Sequence, residues 1–156
     1  GDEIEGIDGK SFLKALFGKE KEHRRFAYGI HNNIPEGTAY PIRSIRDKRY
    51  KLILNLTPEV EYFEKHLMNL KNERSVWASW IESTKTDKRA RYFVDRYVKR
   101  PAIEFYDMQK DPWELNNLAE EKKYAKRIAM MKGELEAWMR QQGDTGAQMD
   151  VKIKKQ

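Results

Sequence analysis

The chain contains no cysteine among its 156 residues, which excludes disulfide bonds, thiolate metal sites and a cysteine nucleophile. Its nine glycines do not cluster behind any predicted strand, so phosphate-binding loops and dinucleotide fingerprints are excluded as well. No apolar run approaches the roughly 20 residues that a membrane-spanning helix needs. The first residues are acidic and lack the basic and apolar regions of a signal peptide. The sequence therefore indicates either a cytosolic protein or the mature piece of something larger.

Residues that could carry chemistry are also scarce. The three histidines are scattered, without the spacing of a zinc site. Asp107 and Asp111 lack the repeated-carboxylate loop of a calcium site, and we interpret Asp111 as the residue that caps the turn at Pro112. None of the five serines lies in a nucleophile-elbow context. The sequence shows no self-contained hydrolase site.

Charge is abundant and unevenly distributed. Lys and Arg number 31 against 25 Asp and Glu, a net charge of +6, and residues 85–100 alone carry seven basic and two acidic side chains. Tyrosines interrupt this basic stretch, which allows two interpretations. It is either a cationic face for nucleic acid or a sulfated polysaccharide, or a solvated helix whose tyrosines point inward. An aromatic content of 12% is too high for a disordered chain, and the length is typical of one domain.

Four strands are predicted, over 25–31, 40–46, 50–56 and 102–108. Alternation of apolar and polar residues marks the first and the third of them. The second and third form a hairpin around the polar pair Asp47-Lys48.

Helical spacing predicts three further elements. Thr57 and Pro58 resemble a helix start, and apolar residues follow at helical intervals to residue 70. Residues 71–100 are interpreted as helical, with Pro101 as the breaker. The final helix is predicted over 120–142, and its apolar stripe consists of Tyr124, Ile128, Met131, Leu135 and Trp138.

Together these elements predict an α+β fold: a small antiparallel sheet of about four strands packed against a long C-terminal helix. Asn117 and Glu120 are a plausible N-cap and capping partner at the joint between the last strand and that helix. Such a sheet has a second face and an edge, and both invite a partner.

Two segments are more specific. Residues 40–55 (YPIRSIRDKRYKLILN) and 101–119 (PAIEFYDMQKDPWELNNLA), followed by a helix, resemble the C-terminal subdomain of the sulfatases in the alkaline-phosphatase-like superfamily. The second segment is similar to the pattern R-P-x-E-E-L-Y-D-L-x-x-D-P-x-E-x-x-N-L-A, from which it departs at Ile103, Phe105 and Met108. Gly9-Lys10-Ser11-Phe12 resembles the segment that leads into this subdomain. The resemblance covers about residues 6–144.

The resemblance implies a parent enzyme that hydrolyses sulfate esters or N-sulfates of glycans with a formylglycine and Ca²⁺. Formylglycine arises from a C/S-x-P-x-R motif, which is absent from these 156 residues. We therefore expect the chain to be inactive without a missing N-terminal catalytic domain. The expected partners are that domain and a sulfated glycan, with neither nucleic acid nor a membrane, and the expected location is periplasmic or secreted. Superfamily relatives that cleave phosphates or phosphonates remain an alternative.

Within the family, His31 followed by Tyr40-Pro41-Ile42-Arg43 is similar to the heparan N-sulfatase (sulfamidase-like) branch, in which this subdomain borders the substrate cleft. By that likeness His31, Asn32 and Arg43 are candidate substrate-binding residues. The alternative is that His31 is an ordinary strand-end residue and Arg43 a structural ion-pair partner.

We expect a lead-in segment over 1–24, the sulfatase-like subdomain over 25–144 and a polar tail over 145–156. Two rival functions stay open: a free-standing polyanion-binding module that uses residues 85–100, and a purely structural interaction domain.

Overall fold

A computed structural model describes residues 9–71 and 75–147. The parts of the predicted lead-in, central helix and tail that fall on 1–8, 72–74 and 148–156 lie outside the described residues. The elements in chain order are α1 (Leu13–Leu16), β1 (Ala27–His31), β2 (Ile42–Arg46), β3 (Tyr50–Asn55), α2 (Val76–Ser83), α3 (Lys88–Val98), β4 (Ile103–Asp107), a 3₁₀ turn (Lys122–Tyr124) and α4 (Ala125–Gln141). The predicted α+β class is confirmed.

The four strands form one antiparallel sheet in the order β1-β2-β3-β4. Its register places Tyr28 opposite Ile45 and Ile45 opposite Leu52, which in turn faces Phe105 on β4. Because side chains alternate along a strand, these residues share one face, and Ile45, Leu52 and Phe105 are fully buried there. This face forms the floor of the main core.

The C-terminal helix α4 covers that face, as its apolar stripe predicts. Its buried side chains are Ile128, Met131, Leu135 and Met139. Trp138, which the stripe also included, lies at the margin and stacks on Tyr28 with ring centroids 4.6 Å apart. Burial of four such side chains stabilises the fold by about 6–12 kcal/mol before conformational entropy is subtracted. None of the helices in the described ranges is long and apolar enough to span a bilayer.

The other face of the sheet is only partly open. A second apolar cluster lies there, consisting of Tyr40, Tyr62, Met68, Trp77 and Val94, with Ile42 packed against it. Helices α2 and α3 and the segment before them supply most of its members. The β1 end of this face, which carries the exposed His31, remains in solvent.

The predicted helix after Thr57 is wrong. Residues 57–70 contain no helix, because their backbone groups bond elsewhere: Tyr62 N donates to Val98 O at 2.8 Å and Lys65 N to Glu36 O at 2.8 Å. The Glu64 carboxylate accepts from the amides of His66 and Leu67. Of the residues that suggested helical spacing, Phe63 and Leu70 are exposed, while Val60 and Leu67 pack against the second cluster, so the four do not form one buried stripe.

The helical region 71–100 is divided in two. Ser75 caps α2 by accepting from Ala78 N, and Asp87 caps α3 by accepting from Arg89 N. Pro101 follows the end of α3, in agreement with its predicted role as a breaker.

The joint between β4 and α4 differs from the predicted cap. Asn117 Oδ1 accepts from Phe105 N at 2.9 Å, Asn117 Nδ2 donates to Ile103 O at 3.1 Å, and Leu118 N donates to Phe105 O at 2.8 Å. Asn117 therefore occupies the outer edge of β4 in place of another strand, and the helix begins eight residues later.

Candidate functional site

The three candidate residues meet where β1 ends. His31 is the last residue of β1, Asn32 follows it, and Arg43 is the second residue of β2. His31 lies opposite Ile42, and the neighbouring pair is Ile30 with Arg43. The His31 and Arg43 side chains therefore point to opposite faces of the sheet. His31 is exposed, Asn32 half-buried and Arg43 fully buried.

Arg43 forms a buried ion pair, which is the structural role that the sequence left as an alternative. Its Nε donates to Asp144 Oδ2 at 2.5 Å and its Nη2 to Asp144 Oδ1 at 3.2 Å. Hydrogen bonding from Arg43 holds the pKa of the Asp144 carboxyl below its usual range. The pair fastens the C-terminal end of α4 to β2, so the guanidinium is not directly exposed to a ligand.

Arg43 also fixes Asn32. Its Nη1 donates to Asn32 Oδ1 at 2.8 Å and to the carbonyl of Ile42 at 3.1 Å. Because the amide oxygen of Asn32 is thereby engaged, its amide nitrogen is the group left to donate to a ligand. Arg43 therefore fixes the orientation of the Asn32 amide.

Tyr62 contacts His31 on the face of the sheet that lies away from α4. The Tyr62 hydroxyl lies 3.5 Å from His31 Nε2, and the ring centroids are 6.2 Å apart. Burial raises the pKa of Tyr62, so its hydroxyl stays protonated at neutral pH. Sequence reasoning missed this residue because it placed Tyr62 inside the helix that does not form.

The Tyr62 ring is itself held by an aromatic and cationic cluster. Tyr40 and Tyr97 pack edge-on at centroid distances of 5.4 and 5.5 Å, and the Arg100 guanidinium lies 4.3 Å from the Tyr62 ring centre. A guanidinium over a ring face is stabilising. The hydroxyl presented to His31 is thus on a rigid ring.

The turn after Asn32 is closed by a second asparagine. Asn33 is buried in the left-handed region at φ 60°, which asparagine tolerates better than most residues. Its Nδ2 donates to Thr38 O at 2.9 Å and to Phe63 O at 2.6 Å. Gly37 is required beside it, because a Cβ there would lie 1.8 Å from Phe63 O.

This arrangement brings together polar groups on a half-exposed turn. Within residues 9–71 and 75–147, no group of three or more His, Asp or Glu side chains could hold a metal ion. The site offers an imidazole, an amide and a buried hydroxyl, which suit the hydroxyls and anionic substituents of a polar ligand.

The basic stretch 85–100 resolves into two sides of α3. Val94 is buried, and Tyr97 packs into the second cluster. The outward side carries Lys88, Arg89 and Arg91 in solvent, together with Tyr92, which is 53% exposed. The interpretation of inward-pointing tyrosines holds for Tyr97 and not for Tyr92.

Comparison with known proteins finds similar sulfatases. No protein-family model matches the chain. An ulvan-active sulfatase from Formosa agariphila is 34% identical over 146 residues, which are 90% of this chain and 26% of that protein. The N-sulphoglucosamine sulphohydrolase of Homo sapiens is 25% identical over 141 residues, 85% of this chain and 26% of the human protein.

Solved structures show the same fold. A 2-O GAG sulfatase superposes with a TM-score of 0.55 at 20% identity, over 92% of this chain and 22% of that one. The chain spans about a quarter of the length of the curated relatives it matches. It matches the C-terminal portion of sulfatases, as the two sequence segments implied.

Proposed function

We propose that this chain is the C-terminal part of a longer sulfatase that removes sulfate from glycans, and that the chain alone catalyses nothing. The observation that carries the proposal is the match of nine-tenths of the chain to only a quarter of an ulvan-active sulfatase. The absence of any C/S-x-P-x-R motif from the sequence supports the second half of the proposal.

The catalytic groups belong to the remainder of the protein in this proposal. The resemblance implies formylglycine and Ca²⁺, and the described residues offer no cluster that would hold a metal ion. When bound there, that machinery supplies the nucleophile and neutralises the sulfate oxygens. The subdomain over 25–144 would contribute binding and specificity, and a periplasmic or secreted location goes with the resemblance.

Three residues would border the sugar cleft. His31 is exposed and is oriented by the Tyr62 hydroxyl at 3.5 Å, so it can contact a hydroxyl or sulfate of the substrate. Asn32 would donate its amide N–H groups. Arg43 would be a positioning residue, because its guanidinium is buried and holds Asn32 Oδ1 at 2.8 Å.

The test uses the complete enzyme read from the gene that encodes this chain. The isolated chain should release no sulfate, and the complete protein should release it from ulvan oligosaccharides or N-sulfated glucosamine. In that protein His31→Ala should lower kcat/KM by roughly 10–100-fold, the value of a hydrogen bond to a charged group. His66→Ala, which removes another exposed histidine, is the matched control.

Two outcomes count against the proposal. If the reading frame contains no formylglycine precursor upstream and no sulfate is released, the assignment to a sulfatase fails. If His31→Ala leaves kcat/KM unchanged on every glycan tested, His31 does not border the cleft and the chain is a purely structural interaction domain.

A polyanion-binding function is the second candidate. The observation that favours it is the outward side of α3, where Lys88, Arg89 and Arg91 are all exposed. Titration of the chain with heparin and with single-stranded RNA distinguishes the two functions. Strong binding to both, with a steep dependence on salt, would favour the polyanion-binding module.

A further inference from the structure

A groove of about 830 Å³ lies on the side of the sheet away from α4, between β3, α2, α3 and the loop after β4. We call it the tryptophan groove, lined among others by Lys51, Trp80, Arg96, Glu104, Trp113 and Glu114. None of the three candidate cleft residues lines it. Its volume is in the range of small-molecule sites.

Two tryptophans border this groove and remain in solvent. Trp113 is 80% exposed and Trp80 is 44% exposed. A large apolar ring in solvent is unfavourable unless something covers it. An indole face suits the apolar C–H face of a sugar ring, because it offers a flat surface beside polar groups.

The loop that carries Trp113 is rigidly held. Asp111 Oδ1 and Oδ2 accept from Leu115 N and Asn116 N at 3.0 and 2.7 Å. Lys51 Nζ donates to the Glu114 carboxylate at 2.8 Å, and Arg96 donates to the carbonyl oxygens of Glu114 and Leu115. Because the backbone beside Trp113 is fixed, only the indole side chain remains to be ordered when a ligand binds.

The floor of the groove is charged but electrically balanced. Lys51 pairs with Glu114, and Arg96 hydrogen-bonds the Tyr106 hydroxyl, which in turn donates to Glu104. An apolar protein surface laid here would desolvate these groups without replacing their water. Sugar hydroxyls both donate and accept, so a sugar can replace that water. The three cations of the lining, Lys51, Arg96 and Arg100, are matched in number by Asp87, Glu104 and Glu114, so a sulfate group has no surplus positive charge to meet here.

We propose that the tryptophan groove is a glycan site that takes an unsulfated sugar unit, stacked on Trp113 and Trp80. The choice of a glycan rests on the proposed function, while the position of the site does not.

The experiment labels the chain with 5-fluorotryptophan and records ¹⁹F NMR. The four tryptophans give four signals, which single substitutions assign. Chemically desulfated ulvan oligosaccharides should shift the Trp113 and Trp80 signals and leave the signal of Trp138, which stacks on Tyr28 at the α4 side of the sheet, unmoved. Trp113→Ala should raise Kd about tenfold, as loss of one stacked ring implies.

The matched control is Tyr92→Ala, because Tyr92 is an exposed aromatic of α3 that does not line the groove. It should bind as tightly as the parent chain. Absence of any shift with desulfated oligosaccharides would overturn the proposal. The proposal would also be overturned if only sulfated oligosaccharides bound and the double variant Lys88→Ala, Arg91→Ala lost that binding.

A second experiment tests whether the rest of the parent protein, and not a glycan, covers the tryptophan groove. In the complete enzyme the Trp113 signal should still respond to added oligosaccharide, and Trp113→Ala should leave sulfate release from a short substrate unchanged. A Trp113 signal already shifted and unresponsive would assign the groove to an interdomain contact and overturn the proposal. Failure of sulfate release would contradict the proposed function, and failure of oligosaccharide binding would contradict the glycan site. The two proposals can therefore fail separately.

Discussion

The buried ion pair between Arg43 and Asp144 offers the sharpest test of how the fold is held together. Its side chains are 1% and 5% exposed, and they join positions 101 residues apart. Asp144 N also donates to Met139 O at 2.8 Å, and Asp144 Oδ1 accepts from Gly146 N at 2.8 Å. The pair therefore fixes the end of α4 to the sheet and closes the chain after it.

Replacing Asp144 by Asn keeps the shape and removes the charge. The buried Arg43 then loses the carboxylate charge that it meets at Asp144, and breaking a buried pair in this way typically costs about 3–5 kcal/mol. That is a large part of the ~5–15 kcal/mol that stabilises a typical domain. At about 2–4 °C per kcal/mol, the melting temperature should fall by at least about 6 °C.

Urea denaturation followed by circular dichroism measures the free energy of unfolding. The matched control is Lys85→Ala, which breaks the Lys85–Glu82 pair whose side chains are 66% and 71% exposed. It should change stability by less than about 0.5 kcal/mol. The double variant Arg43→Met with Asp144→Leu should be more stable than Asp144→Asn, because neither charge remains buried. A loss below about 1 kcal/mol for Asp144→Asn would refute this reasoning.

Three further predictions concern pH, the core and one glycine. The folded-state pKa of Asp144 lies below its usual range. The stability that its carboxylate contributes is therefore complete above about pH 4 and is lost as the pH falls through the folded-state pKa. The free energy of unfolding of Asp144→Asn should depend less on pH in this range than that of the parent chain. Leu135→Ala, at a fully buried position, should lower the free energy of unfolding in urea by about 2–5 kcal/mol, whereas Leu13→Ala, at a 52% exposed position, should change it by less than about 0.5 kcal/mol. Gly37→Ala would place a Cβ 1.8 Å from Phe63 O and should cost about 1–3 kcal/mol, seen also as faster hydrogen exchange in residues 62–65; unchanged exchange would contradict it.

Much of the fold could be predicted because its patterns are local. Period-two alternation marked the strands over 25–31 and 50–56, and the polar turn after Arg46 located the hairpin. The loop is shifted by one residue from the predicted pair Asp47-Lys48 to Lys48-Arg49, because Arg46 pairs with Lys51 and Asp47 N bonds to Tyr50 O. The stripe of α4 was visible because Ile128, Met131 and Leu135 recur on one face of a single long helix.

The errors arose where long-range contacts override local spacing. Residues 57–70 have helical apolar spacing, yet Tyr62 N bonds to Val98 and Lys65 N to Glu36, contacts that no window of sequence reveals. The same holds for Asp144, which the sequence marked only as the end of the final helix and which is the partner of Arg43. The candidate cleft residues were located at one strand end, but the roles of Tyr62 and Asp144 in fixing them required the fold.

The turn at Asn32 is constrained from both faces of the sheet, which bears on why it can serve a binding role. From the α4 face, Arg43 fixes the Asn32 amide through a guanidinium that Asp144 neutralises. From the opposite face, the buried Tyr62 hydroxyl approaches His31 at 3.5 Å. A ligand that meets an exposed imidazole and an amide held in this way pays little ordering entropy. Loss of Asp144 should therefore loosen Asn32 as well as the helix, so its effect on substrate affinity in the complete enzyme should exceed that of an equally destabilising change at Leu135.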